Sequence, residues 1–173
     1  MKRRQLLAGL VGTGVAGAGA WVATNGFGGS DVTTVVETLD ARGSSAGTQR
    51  VPVPGTPTVV DLFATWCGPC VEQMDALAAV HEAYADRVAF VSVTNERFGG
   101  GLTREDVVEW WAENDGDWTL GHDPDGTLLR ELNATGLPYL AVTDAEGGVQ
   151  WTHGGTASAS LLRREIESAL GAE

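Results

Sequence analysis

The chain has 173 residues, 43% of them hydrophobic, which suits one domain with its own core plus an N-terminal appendage. Its two cysteines exclude the disulfide framework of small secreted scaffolds. Lys2, Arg3 and Arg4 open the chain, and the rest holds 8 basic and 23 acidic side chains, a balance of −15 that repels nucleic acid and anionic lipid.

The basic cluster is followed by an uncharged, glycine- and alanine-rich run from Gln5 to Ser30, the layout of an export signal. Arg3-Arg4 followed by Gln5-Leu6-Leu7 resembles a twin-arginine signal. Residues 6–23 would span about 27 Å as a helix, borderline for a membrane core of about 30 Å. Cleavage after Ala23 and retention as a membrane anchor both fit. No cysteine follows that could carry a lipid. Residues 24–31 read as a linker, so 1–31 is assigned to signal or anchor plus linker and 32–173 to the folded domain.

Val32–Leu39 and Gln49–Val53 have strand composition, with a turn between them. Thr58–Thr65 is a nearly continuous apolar run suited to a central strand buried on both faces. A helix follows over about Pro69–Ala85, with Val71, Met74, Leu77, Ala78 and His81 as its inner stripe. Arg87–Thr94 is a second buried strand. Thr103 with Asp106 predicts a capped helix through Asn114 whose inner face carries Val107, Val108 and Trp111. Asp123–Ala134 gives a turn and short helix, 139–154 a hairpin, and Ser158–Leu170 an amphipathic helix. The order predicts an α/β fold: a mixed central sheet with helices on both faces.

Both cysteines lie in Cys67-Gly68-Pro69-Cys70, where the buried strand gives way to the helix. Three residues apart on a first helical turn, the two sulfurs come close enough to bond. Free amides and the dipole at a helix N-terminus favour a negative sulfur. Cys67 is therefore expected outermost, as the attacking thiolate, with Cys70 shielded one turn inside as the resolving thiol. Pro69 suits the first turn, where its missing N–H is not needed, and Gly68 leaves room for a partner's backbone. Zinc would need about four ligands, and His81, His122 and His153 are scattered singly. A structural staple across so short a loop would stabilise little. The pair is there to react, with no metal or organic cofactor implied.

The stretch Asp61-Leu-Phe-Ala-Thr-Trp-Cys-Gly-Pro-Cys70 resembles the active site of thioredoxins, and the signal-like start, N-terminal β-hairpin and insert at residues 102–138 resemble the exported TlpA/ResA-like branch of that superfamily. The resemblance covers about residues 32–170. It implies a thioredoxin fold with an extra helix and strand–helix piece in the insert. It implies that Pro138 follows a cis bond and faces the cysteines, docking a substrate backbone with its neighbour Leu137. It makes Asp61 the buried acid that exchanges protons with Cys70, with a pKa raised by its apolar strand, and Trp66 a cover over the site. Three positions depart from the pattern: Asp75 replaces a proline frequent in exported relatives, Phe90 stands where thioredoxin has a lysine paired with its acid, and Tyr139 follows the proline in place of threonine.

The function expected is thiol–disulfide exchange outside the cytoplasm: a monomeric reductant of protein disulfides, supplied with electrons by a membrane thiol donor. Alternatives are a copper-handling protein using the two thiolates and a peroxidase on the same fold. Lys2 is the sole lysine, and an acid-rich, lysine-poor body resembles the proteins of halophilic archaea.

Overall fold

The apolar run at the centre of the chain forms β3 (Thr58–Phe63), every residue of it buried. It is flanked by a parallel β4 (Ala89–Thr94) and an antiparallel β6 (Tyr139–Thr143). A computed structural model describes residues 32–171; the export-signal and linker readings fall on residues 1–31, outside the described residues. β5 (Thr119–His122) runs parallel beside β4, and β7 (Val149–Gly154) antiparallel beside β6. The hairpin of β1 (Thr34–Thr38) and β2 (Gly47–Val51) joins through β1, antiparallel to β5. The sheet order is β2-β1-β5-β4-β3-β6-β7, the mixed sheet expected. β2 stops at Val51, short of the predicted Val53, because Pro52 has no N–H to continue a ladder.

The pleat of β3 divides the core. Val59 and Phe63 face a cluster built with α1 (Gly68–Tyr84), α2 (Arg104–Glu113) and α4 (Ala159–Gly171). Val60 and Leu62 face a second cluster closed by Leu128 and Leu132 of the α3 region (helix Thr127–Glu131). Helices thus lie on both faces, and Asp61, between Leu62 and Val60, shares the α1 side with Val59 and Phe63.

α2 starts as predicted: the Asp106 N–H donates to Thr103 Oγ1 (3.1 Å) and the Thr103 N–H to Asp106 Oδ2 (2.7 Å). The Thr103 hydroxyl, which donates to Asp106 Oδ2 (2.8 Å), and the Thr103 N–H hold the Asp106 carboxyl below its usual range. Trp111 is fully buried, donates to the Arg42 carbonyl (3.0 Å) and meets Trp118 edge-on at 5.0 Å. Residue 116 has room for glycine alone, since a Cβ there would run into the Trp111 ring. Gly43 (φ +75°) likewise lets the hairpin turn lie against the backbone at Asp117 and Trp118.

The inner stripe of α1 is rotated from the predicted one. It consists of Cys70, Gln73, Met74, Leu77, Val80 and Tyr84, while Val71 is 42% exposed. Alanines at 76, 78, 79 and 83 make this helix apolar most of the way round, so its pattern alone defines no sharp face. Tyr84 secures α1 to α4 by donating to Glu167 (2.7 Å). Among the described residues no helix is long and apolar enough to cross a membrane.

Candidate active site

β3 leaves the sheet at Phe63, and four residues later Cys67 takes the N-cap position of α1 in extended conformation (φ −88°, ψ 100°). Gly68 and Pro69 fill the first turn, and the Cys70 N–H donates to the Cys67 carbonyl (3.0 Å). The sulfurs of Cys67 and Cys70 are joined at 2.08 Å, with Cα atoms 5.3 Å apart. No side chain caps α1, so its free terminal amides and dipole remain available to stabilise a thiolate at Cys67.

In the disulfide both cysteines are buried, Cys67 at 4% exposed and Cys70 at 1%. Cys67 belongs to the same buried cluster as Met74 and Phe63. Trp66, one residue before Cys67, stands 75% exposed. Together with exposed Gly68, Pro69 and Val71 it leaves apolar surface on the chain either side of a buried disulfide.

Leu137–Pro138 is a cis bond, as the resemblance implied. Pro138 directly precedes Tyr139, which pairs with Leu62 near the end of β3. The proline segment and the cysteine loop therefore emerge at the same end of the sheet. Pro138 is buried, Leu137 half-buried and Gly136 exposed.

Asp61 is buried in the middle of β3, and burial pushes its carboxyl up to about 7, with the Ser92 hydrogen bond pulling the other way. Ser92 Oγ donates to Asp61 Oδ2 (2.8 Å) and accepts from Trp118 Nε1 (2.9 Å). Asp61 Oδ1 is buried with no partner among the described residues. The neighbour of Asp61 across the parallel ladder is Ser92, whereas Phe90 pairs with Val59. Phe90 is therefore not the ladder partner of Asp61; the polar group beside the acid is the Ser92 hydroxyl. His81 packs its ring against Phe90 (5.1 Å) and Trp118 (5.2 Å), a packing role, and burial lowers its pKa.

Three further side chains steady the site. Glu96, just past β4, accepts from the Thr65 N–H (2.7 Å) and Thr65 Oγ1 (2.8 Å), holding the cysteine loop two residues before Cys67. The Glu96 carbonyl in turn lies 2.8 Å from His122 Nε2. Gln73, three residues past Cys70, accepts from the Ala157 N–H (2.7 Å) and donates to its carbonyl (3.3 Å), tying α1 to the loop before α4. The signals for Gln73 and Ser92 were a glutamine on the buried face of a helix and a serine inside an apolar strand. Both read as neutral until their partners are in place.

Among solved structures, the exposed lipoprotein thioredoxin Etrx1 of Streptococcus pneumoniae is similar with a TM-score of 0.66 and 19% identity, covering 79% of this chain and 99% of that one. StoA of Bacillus subtilis is similar with a TM-score of 0.64 and 18% identity, covering 79% and 98%. The fold is thioredoxin-like. Among curated relatives, the thioredoxin-like protein YneN of Bacillus subtilis is 28% identical over 117 residues, 67% of this chain and 64% of that protein. The thiol:disulfide interchange protein DsbE of Yersinia pestis is 26% identical over 132 residues, 76% and 65%. The chain thus spans just under two thirds of the length of these two relatives. A family model described as Redoxin matches residues 29–170, and the chain belongs to the Redoxin family.

Proposed function

We propose that the chain is a thiol–disulfide oxidoreductase working outside the cytoplasm, where it reduces disulfides of protein substrates. The observation that carries this is the Cys67–Cys70 disulfide closed over the first turn of an uncapped helix, at the end of the strand that holds a buried acid. In the reduced protein the Cys67 thiolate attacks a substrate disulfide, forming a mixed disulfide and releasing one substrate thiolate. Cys70 gives its proton to Asp61 and attacks Cys67 Sγ. The Cys67–Cys70 disulfide forms, the second substrate thiolate leaves, and the two thiolates take up two protons, one returned through Asp61. Two electrons pass to the substrate. A membrane thiol donor would restore the dithiol.

Trp66, Gly68, Pro69, Leu137 and Pro138 are the proposed docking surface. Exposed Trp66 offers apolar area beside the disulfide, and Gly68 has open space around its Cα for an approaching backbone. Arg3-Arg4 supports export, and the acidic, lysine-poor body suits a saline medium. The activity is tested by reduction of insulin with dithiothreitol as donor: the chain should accelerate it, and an unchanged rate refutes the reading. The location is tested by Arg3→Lys with Arg4→Lys, which should leave the protein inside the cell. Undiminished export would point to the general secretory route.

A further inference from the structure

The hydrogen bonds around Asp61 carry more information than its burial does. An indole N–H can only donate, so the 2.9 Å bond from Trp118 Nε1 occupies a lone pair of Ser92 Oγ. Ser92 has a single hydroxyl proton, and it lies 2.8 Å from Asp61 Oδ2. Ser92 is fully buried and Trp118 nearly so, at 4% exposed, so neither group has water to turn to. A proton on Oδ2 would compete with the Ser92 hydroxyl for that oxygen and make it the poorer acceptor. A proton on Oδ1 displaces no hydrogen bond, because Oδ1 has no partner among the described residues.

We propose that Trp118 and Ser92 are positioning residues for the proton transfer. The chain from Trp118 Nε1–H through Ser92 Oγ–H commits Asp61 Oδ2 to accepting a hydrogen bond and leaves Oδ1 as the oxygen that takes the Cys70 proton and returns it. The inference rests on the reading of Asp61 as the proton-exchanging acid. In the resolving step one S–H bond breaks at Cys70 and one O–H bond forms at Oδ1, while Cys70 displaces the substrate sulfur from Cys67. The O–H bond breaks when the proton passes on to the departing thiolate, so Asp61 ends as it began. The same chain couples the indole to the acid: when Oδ1 loses its proton, Ser92 is polarised and the Trp118 N–H bond strengthens.

The titratable groups near this chain are known. Cys70 of α1 lies on the same side of the sheet, His81 of α1 packs on the Trp118 ring at 5.2 Å, and Asp117 precedes Trp118 and acts on His81. From β6, the neighbour of Asp61 is Leu140, which carries no charge.

The experiment uses the full chain, as wild type, Ser92→Ala, Ser92→Thr, Trp118→Phe and Asp61→Asn. Three quantities are followed against pH: the Asp61 carboxyl carbon resonance, the Trp118 indole nitrogen resonance, and the rate at which a mixed disulfide on Cys67 is resolved. The Trp118 indole should titrate with the Asp61 midpoint. Ser92→Ala should remove that step, leave the separate His81 step, and raise the Asp61 midpoint by about one unit, a roughly tenfold weaker acid. The pH profile of resolution should move with it. Ser92→Thr, which keeps the hydroxyl, should restore the midpoint. Trp118→Phe, which keeps a large ring without the N–H, should raise the midpoint by less. If Ser92→Ala leaves the midpoint in place, or if Trp118→Phe slows resolution equally at every pH with no shift, the two residues only pack and the proposal is overturned. If Asp61→Asn resolves the mixed disulfide at the wild-type rate and pH profile, the underlying reading of Asp61 fails instead. That result is distinct from the other two.

Discussion

Replacing Asp61 by asparagine should stabilise the protein, and by an amount that depends on pH in a calculable way. In the folded chain the carboxyl keeps its proton up to about pH 7, whereas its ordinary value, which the unfolded chain restores, is 3.8. Below 3.8 both states hold the proton, and above 7 both have lost it. Between the two the folded state alone is protonated, so stability falls as pH rises through that window. At about 1.4 kcal/mol per unit, the interval amounts to about 4 kcal/mol lost by neutral to mildly alkaline pH. Asparagine has the shape of the protonated acid and can still accept from Ser92, but does not titrate. The variant should match the wild type near pH 4 and gain steadily until it is about 4 kcal/mol more stable near pH 8. Urea unfolding of the oxidised forms at several pH values measures this directly. Two stability curves running parallel from about pH 4 to pH 8 would mean that solvent reaches the carboxyl and that it titrates as an ordinary acid.

The cysteines should behave unequally once reduced. Cys67→Ser should abolish disulfide reduction, and Cys70→Ser should accumulate a mixed disulfide through Cys67; faster alkylation of Cys70 than of Cys67 would reverse the assignment. The reduction potential should lie nearer thioredoxin's, about −270 mV, than DsbA's, about −120 mV, because no histidine or other extra stabiliser stands between the cysteines. Equilibration with glutathione measures it, and a value above roughly −180 mV would make the protein an oxidant or isomerase. Glu96→Ala leaves the Thr65 N–H without its acceptor. It should cost about 1–3 kcal/mol and slow reduction, with Glu96→Gln, which keeps an acceptor oxygen, recovering most of the loss. Equal losses from both substitutions would show that the charge of Glu96, not its hold on Thr65, matters.

What could be read from the sequence, and what could not, divides along a physical line. Local chemistry was legible: the capping pair Thr103–Asp106 and the closeness of Cys67 to Cys70 declare themselves within a few residues, and the resemblance to thioredoxins implied the burial of Asp61. The relation between β3 and β4 was not. Both strands are apolar on both faces, so neither has the alternation that would set its phase against the other, and Phe90 stood as good a neighbour for Asp61 as Ser92 until the ladder Asp61↔Ser92 was formed. The face of α1 was illegible for the same reason: with alanine most of the way round, the disulfide and the Gln73–Ala157 bonds accompany a choice of inner side that hydrophobicity alone leaves open. The exposure of Trp66 is a tertiary property that no spacing encodes.

The neighbour that the ladder places beside Asp61 decides what the acid can do. A cation beside Asp61 would hold the carboxylate ionised at neutral pH and offset its burial, giving a more stable protein with an acid that is nearly always empty. Ser92 is a neutral donor. It lowers the cost of the charged form without removing it, and the carboxyl settles at about 7. Near neutral pH such a group is protonated in a large fraction of molecules and ionised in the rest, so it can accept the Cys70 proton and release it again with little free-energy change either way. The stability forgone at Asp61 and the readiness to exchange a proton there have one origin: a carboxyl placed in the middle of a buried strand, with one hydroxyl bound to one of its oxygens.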